Sequence, residues 1–152
     1  MNSSVGGVGF LLSPAAINSL NHIEPILPRN LLIELEINPK TTIINAYSSH
    51  NTSPVNEVEE FYSILKSTGE QVSAHNFLVI AGEFTARFGP NDVNFSYNVN
   101  TNRNWEMLQD VMDEFNLFSA NTSFMKRRGQ LWTHKYPTGA QLDYSLWKEM
   151  EK

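Results

Sequence analysis

Four oxygen-bearing side chains stand where apolar segments run out: Tyr47 and Asn51 after TTIINA, Glu83 after FLVIAG, and Asp143 inside GAQLDYSL. Acids at strand ends suit a hard cation such as Mg²⁺, which takes oxygen ligands and usually keeps several waters. Phosphoester hydrolysis needs such an ion to offset charge on the phosphate oxygens, and a base that aims a water. Asp143 lies between Leu142 and Tyr144, an expensive place for a charge unless it has a partner. Acids at strand ends are common, however. On chemistry alone, Glu83 also reads as an ordinary solvated loop acid.

Other chemistries fail their own context. The four histidines and many serines include no Gly-x-Ser-x-Gly elbow, and no His-Glu-x-x-His spacing supports zinc. The glycines of GGVGF do not follow a strand and open a helix, as a dinucleotide site requires. With no cysteine there is neither a disulfide framework nor a thiolate metal site.

The bulk properties set further bounds. A chain of 152 residues is long enough for one domain with a real core. An apolar content of 41%, with nine Phe, five Tyr and three Trp, argues against disorder. A net charge of −5 and a pI near 5.3 count mildly against a protein whose main task is gripping phosphates. The one basic cluster, Lys126, Arg127, Arg128 and Lys135, reads first as a solvated loop. Apolar runs are strand length, short of a membrane span, and the N-terminus lacks the pattern of a signal peptide. A soluble, intracellular protein is expected, with Asn51-Thr52-Ser53 a chance sequon.

Elements must now position the oxygen donors. VGGVGFLLS (Val5 to Ser13) reads as a strand entered through glycines. LLIELEI (Leu31 to Ile37), the turn signal Asn38-Pro39-Lys40 and TTIINAY (Thr41 to Tyr47) read as a hairpin. Ser53-Pro54 predicts an N-cap and first helical position, followed by Val58, Phe61, Tyr62 and Leu65 at helical spacing. NFLVIAG is a fully apolar strand of the buried kind. The polar stretch from Gly89 to Arg103 is long for a plain connection, which hints at function or insertion. Trp105, Leu108, Met112 and Phe115 mark a second amphipathic helix, and short strands are expected at Leu131 to Thr133 and Gln141 to Leu146. Helices separated by apolar strands indicate an α/β or α+β layered sandwich, with sheet edges left open near both termini.

Together, GGVGFLLSP, TTIINAYSSHN, VEEFYSIL, LVIAGEFTARFG, NFSYNVNTNRN and RRGQLWTHKYPTGAQLDY resemble the endonuclease/exonuclease/phosphatase (DNase I-like) superfamily. Within it they look most like the apurinic-type endonuclease domain of RTE-clade LINE retrotransposons, to which craniofacial-development-protein-like sequences are similar. The match is collinear from about Gly6 to Tyr144. The resemblance implies a partial four-layer α/β sandwich, a Mg²⁺ cofactor and DNA as partner, with residues 1–152 forming a single, incomplete domain. It places Tyr47 near the scissile phosphate and Asn51 on the asparagine of the same motif, with Ser49 replacing that motif's proline. Glu83 falls on the aspartate of the Gly-Asp-Phe-Asn motif, which deals with the metal and attacking water, and Thr85 falls on its asparagine. Asp143 matches the aspartate that orients the catalytic histidine. Trp132 and His134 match a Trp-Thr-His motif read as mostly structural.

The departures shape the expected function. The resemblance leaves the metal-binding glutamate upstream of this chain and the Ser-Asp-His motif downstream, so truncation at both ends is expected. Glu for Asp moves the carboxylate by about an ångström, and shifts of that order can cost roughly 100-fold in rate. Thr for Asn loses an amide donor, worth roughly 100- to 1,000-fold in a preorganised site. The expected function is therefore a catalytically impaired retrotransposon endonuclease relic. The alternatives are an active metal-dependent endonuclease or phosphatase, and a non-catalytic interaction module.

Overall fold

Six strands form one mixed sheet in the computed structural model, which describes residues 7–135 and 137–150. Ser13 accepts a hydrogen bond from the Ala16 N–H and caps a short helix, α1 (Pro14–Asn18), whose proline lies in the first turn. Strands β1 (Leu20–Leu27) and β2 (Asn30–Leu35) form a hairpin, and β2 pairs antiparallel with β3 (Thr41–Tyr47). Helix α2 (Val55–Glu70) then carries the chain back so that β4 (Phe77–Glu83) lies parallel to β3. That crossover is the link a parallel pair requires. Helix α3 (Arg103–Glu114) leads to a three-residue strand β5 (Leu117–Ser119), and β6 (Asp143–Lys148) inserts between β4 and β5. The strand order is β1-β2-β3-β4-β6-β5.

The core forms on one face. Leu32, Ile44, Ile80 and Leu146 lie opposite one another across four adjacent strands and are almost wholly buried. Val58, Phe61 and Leu65 of α2, with Leu108 and Val111 of α3, complete the same cluster. Their helical spacing gives each helix one apolar stripe to lay on the sheet. Alternation sends the neighbouring residues to the other face. There the register aligns Ile23, Ile33, Ile43, Val79, Trp147 and Phe118 in one row across all six strands.

The β2–β3 hairpin, both amphipathic helices and the apolar central strand follow the sequence reading. Five local features differ from it. Residues 7–13 form no strand, and residues 5 and 6 of the strand expected there lie outside the described residues. That segment is tied to the sheet instead by an Asn45 amide bond to the Gly9 carbonyl, at 2.7 Å. β1 is a strand the pattern hid, because Pro25 breaks its run; as an edge strand it tolerates the missing donor. Pro54 rather than Ser53 sits at the N-cap of α2 and makes no side-chain cap bond. Leu131–Thr133 is not a strand, and the local pairing is a single bridge between His134 and Ala140. The edge strand β5 also went unforeseen, being only three residues long.

Candidate functional site

Tyr47, Glu83 and Asp143 stand side by side at one end of the sheet. Tyr47 is the register partner of Glu83 across the parallel β3–β4 pair, and Glu83 faces Asp143 across the antiparallel β4–β6 pair. All three are half-buried, and alternation puts them on the face away from the helices. Three of the five expected site residues thus form one row.

The backbone beneath the row is specialised. Gly82 has φ +147°, and a Cβ there would lie 1.8 Å from the Ala46 carbonyl oxygen. Only glycine lets β4 approach β3 this closely immediately before Glu83. On the far side, Thr133 Oγ1 accepts from the N–H groups of Leu142 and Asp143, at 3.0 and 3.2 Å. Asn121 grips the start of β6, donating to the Asp143 carbonyl and accepting from the Ser145 N–H. Arg29 stacks over the Tyr47 ring, 5.6 Å from its centroid.

Electrostatics at the row are those of crowded acids. Burial pushes the Glu83 carboxyl above the usual glutamate range, and the Asp143 charge adds to the effect. The imidazoles of His134 and His50 act in the opposite sense. A like-charge carboxylate pair that is partly desolvated favours a cation or a proton between its members.

Thr85 occupies a different environment. It is buried and has φ +46°, a left-handed conformation that is uncommon for a β-branched residue. Its hydroxyl lies 2.8 Å from the Ser49 carbonyl, 2.9 Å from Ser48 Oγ and 2.6 Å from the Asn104 amide. The hydroxyl is therefore consumed inside the protein, and Thr85 acts by holding the turns after β3 and β4 together. Asn51 is exposed in the turn after β3, and its carbonyl accepts from Arg103 at 2.8 Å. It borders a groove of about 340 Å³ whose other walls include His50, Thr85 and Arg87.

The sequence reading missed a set of asparagines. Asn104, wholly buried, directs its amide at the carbonyls of Ser49 and Phe84 as well as at Thr85. Asn102 caps α3 by accepting from the Trp105 N–H, accepts from the Arg87 N–H and donates to the Thr85 carbonyl. Asn98 donates to the Gln141 carbonyl and accepts from the Gln141 N–H, fixing the approach to β6. The signal was the Asn-rich polar stretch before α3, whose length is explained by this bracing. His134 and Trp132 are exposed, and the Trp-Thr-His segment touches the row through Thr133.

Among the described residues, no group of three or more His, Cys, Asp or Glu side chains is arranged to hold a metal. The Glu83–Asp143 pair offers hard oxygen donors. That suits Mg²⁺, which is commonly held by one or two carboxylates together with water and substrate phosphate.

No protein-family model matches the chain, and no curated protein matches it. Solved structures do resemble it. An endonuclease/exonuclease/phosphatase family protein from Leptotrichia buccalis C-1013-b is similar over 79% of this chain, with a TM-score of 0.53 and 11% identity. The chain spans 41% of that protein's length. SmcL is similar over 80% of this chain and 43% of its own, at 12% identity and a TM-score of 0.45. The first likeness shows the fold: a partial DNase I-like α+β architecture.

Proposed function

We propose that the chain is a phosphodiesterase-type endonuclease domain of the sort carried by RTE-clade LINE retrotransposons and craniofacial-development-protein-like sequences, with impaired hydrolysis. The observation that carries this reading is the Tyr47–Glu83–Asp143 row, which gathers an aromatic hydroxyl and two carboxylates at one sheet end. DNA as partner and an intracellular setting come with the same reading.

In this reading Glu83 would hold Mg²⁺, with Asp143 beside it on the neighbouring strand. A bound Mg²⁺ supplies charge neutralisation to phosphate oxygens. The chain's own groups orient the ester: Tyr47 stands in the row, and Asn51 and Arg87 line a groove in which Arg87 offers a guanidinium to phosphate. Impairment is supported by the residues themselves. Glu83 is a methylene longer than the aspartate the resemblance leads one to expect. Thr85 replaces an amide donor with a hydroxyl already bonded to Ser49, Ser48 and Asn104. No donor at position 85 is left for a developing charge on phosphate.

The test is nicking of supercoiled plasmid with and without Mg²⁺. Wild type should nick slowly or not at all. Rapid Mg²⁺-dependent nicking that Glu83→Ala abolishes would replace impairment with an active enzyme. Equal nicking by wild type and Glu83→Ala would remove the row from the reaction.

A further inference from the structure

We propose that Arg87 and Arg128 form a phosphate-binding subsite beside the carboxylate row, and that its ligand is a nucleic-acid backbone. The inference rests on the nucleic-acid reading above and is independent of hydrolysis. A cleft of about 220 Å³ lies between the two arginines, with Asn98, Asn100 and Gly139 in its walls. The groove beside the row, about 340 Å³, has Arg87 in its wall as well. The two spaces therefore share Arg87 in their walls.

Both cations are placed by the fold. The Arg87 N–H is bound by Asn102 Oδ1 at 3.0 Å, which fixes where its side chain leaves the backbone. The Arg128 guanidinium lies over the Tyr97 ring, 4.8 Å from the centroid, which restrains a planar cation at an exposed position. The turn carrying Gly139 presses on the same ring: with φ +80°, a Cβ there would come within 2.6 Å of Tyr97 Oη.

The charge distribution indicates a ligand. Arg29, Lys40 and Lys66 each sit within an ion pair. Arg87, Arg128 and the exposed Lys126, Arg127 and Lys135 make no salt bridge among the described residues; Arg103 and Lys148 make none either but donate to backbone carbonyls. A chain of net charge −5 has acids to spare, yet Arg87 and Arg128, which line one cleft, make no salt bridge among the described residues. Guanidinium groups match phosphate oxygens in geometry and tolerate partial desolvation. A single phosphate occupies one cleft, whereas a polymer with repeating phosphates reaches both from the row.

The experiment is fluorescence anisotropy of a short labelled DNA strand in EDTA, which removes hydrolysis, over a salt series. Arg87→Ala and Arg128→Ala should each weaken binding by roughly three- to tenfold and flatten the log–log salt slope by about 0.7. Arg128→Lys, which keeps charge but loses the planar stack on Tyr97, should fall between wild type and Arg128→Ala. Lys66→Ala, in α2 and outside the walls of both clefts, should bind as wild type. Thermal melts should confirm that both exposed arginine variants fold. Unchanged binding in either arginine variant would overturn the proposal, as would an equal loss in Lys66→Ala. Full displacement by millimolar inorganic phosphate would overturn the polymer assignment. Absence of nicking leaves this test unaffected.

Discussion

Glu83 and Asp143 face each other on neighbouring antiparallel strands, so two carboxylates share one partly buried end of the sheet. Their arrangement opposes stability when no cation is present. Burial and the Asp143 charge raise the Glu83 carboxyl above its ordinary range. The folded state therefore holds the Glu83 proton more tightly than the unfolded chain does. The penalty is absent below about pH 4, the ordinary glutamate range, and grows as pH rises through the folded value.

Glu83→Gln should accordingly stabilise the protein at pH 7 in EDTA. Solvent screening of a half-exposed group limits the gain to on the order of 1 kcal/mol, a Tm rise of roughly 2–4 °C. The gain should vanish in melts run near pH 3. If Glu83 holds Mg²⁺, adding the ion should raise the wild-type Tm and leave that of Glu83→Gln unmoved. A Tm for Glu83→Gln below wild type at pH 7 would mean that the carboxylate has a favourable partner that this geometry does not show.

Gly82 is the second point of leverage, because it sets how closely the row's central strand approaches β3. A Cβ would stand 1.8 Å from the Ala46 oxygen on a backbone with φ +147°. Clash and conformational strain act together, so Gly82→Ala should lower stability by roughly 3 kcal/mol or more. Gly129 has nothing within 4 Å of its would-be Cβ and no positive φ is recorded for it. Gly129→Ala should therefore change stability by no more than about 0.5 kcal/mol. Urea midpoints for the pair, with unchanged m-values, would check the contrast.

These two positions mark how much of the site the sequence made legible. Buried strands announced themselves through continuous apolar runs, and FLVIAG led directly to Glu83 at a strand end. The register that places Tyr47 and Asp143 on either side of Glu83 is a long-range property that strand-end chemistry does not specify. Thr85 follows the strand that ends at Glu83, but its inward hydroxyl depends on Ser48, Ser49 and Asn104, residues distant along the chain. The bracing asparagines were illegible for the same reason. An asparagine in a polar stretch looks like any loop residue until its acceptors are known. β1 was hidden by Pro25, whose cost depends on whether the strand lies at an edge.

Asn104 is where that hidden bracing is most exposed to test. It is 0% exposed, and its amide reaches three acceptors from both site-bearing turns: Ser49 O, Phe84 O and Thr85 Oγ1. Its own Oδ1 has no partner among the described residues, so the amide nitrogen makes its side-chain bonds there. Asn104→Ala removes those donors from buried acceptors and leaves a small void, which should cost roughly 2–3 kcal/mol. Asn104→Asp keeps the volume but turns a carboxylate oxygen toward two carbonyls and a hydroxyl. The Thr85 hydroxyl can supply only one proton to that cluster, so Asn104→Asp should be less stable than Asn104→Ala at pH 7, and the gap should narrow in acid as the carboxyl protonates. Asn100, exposed in the same stretch, provides the control, and Asn100→Ala should stay within about 0.5 kcal/mol of wild type. If Asn104→Asp were the more stable of the two Asn104 variants, the amide would not be the donor that joins the turns after β3 and β4.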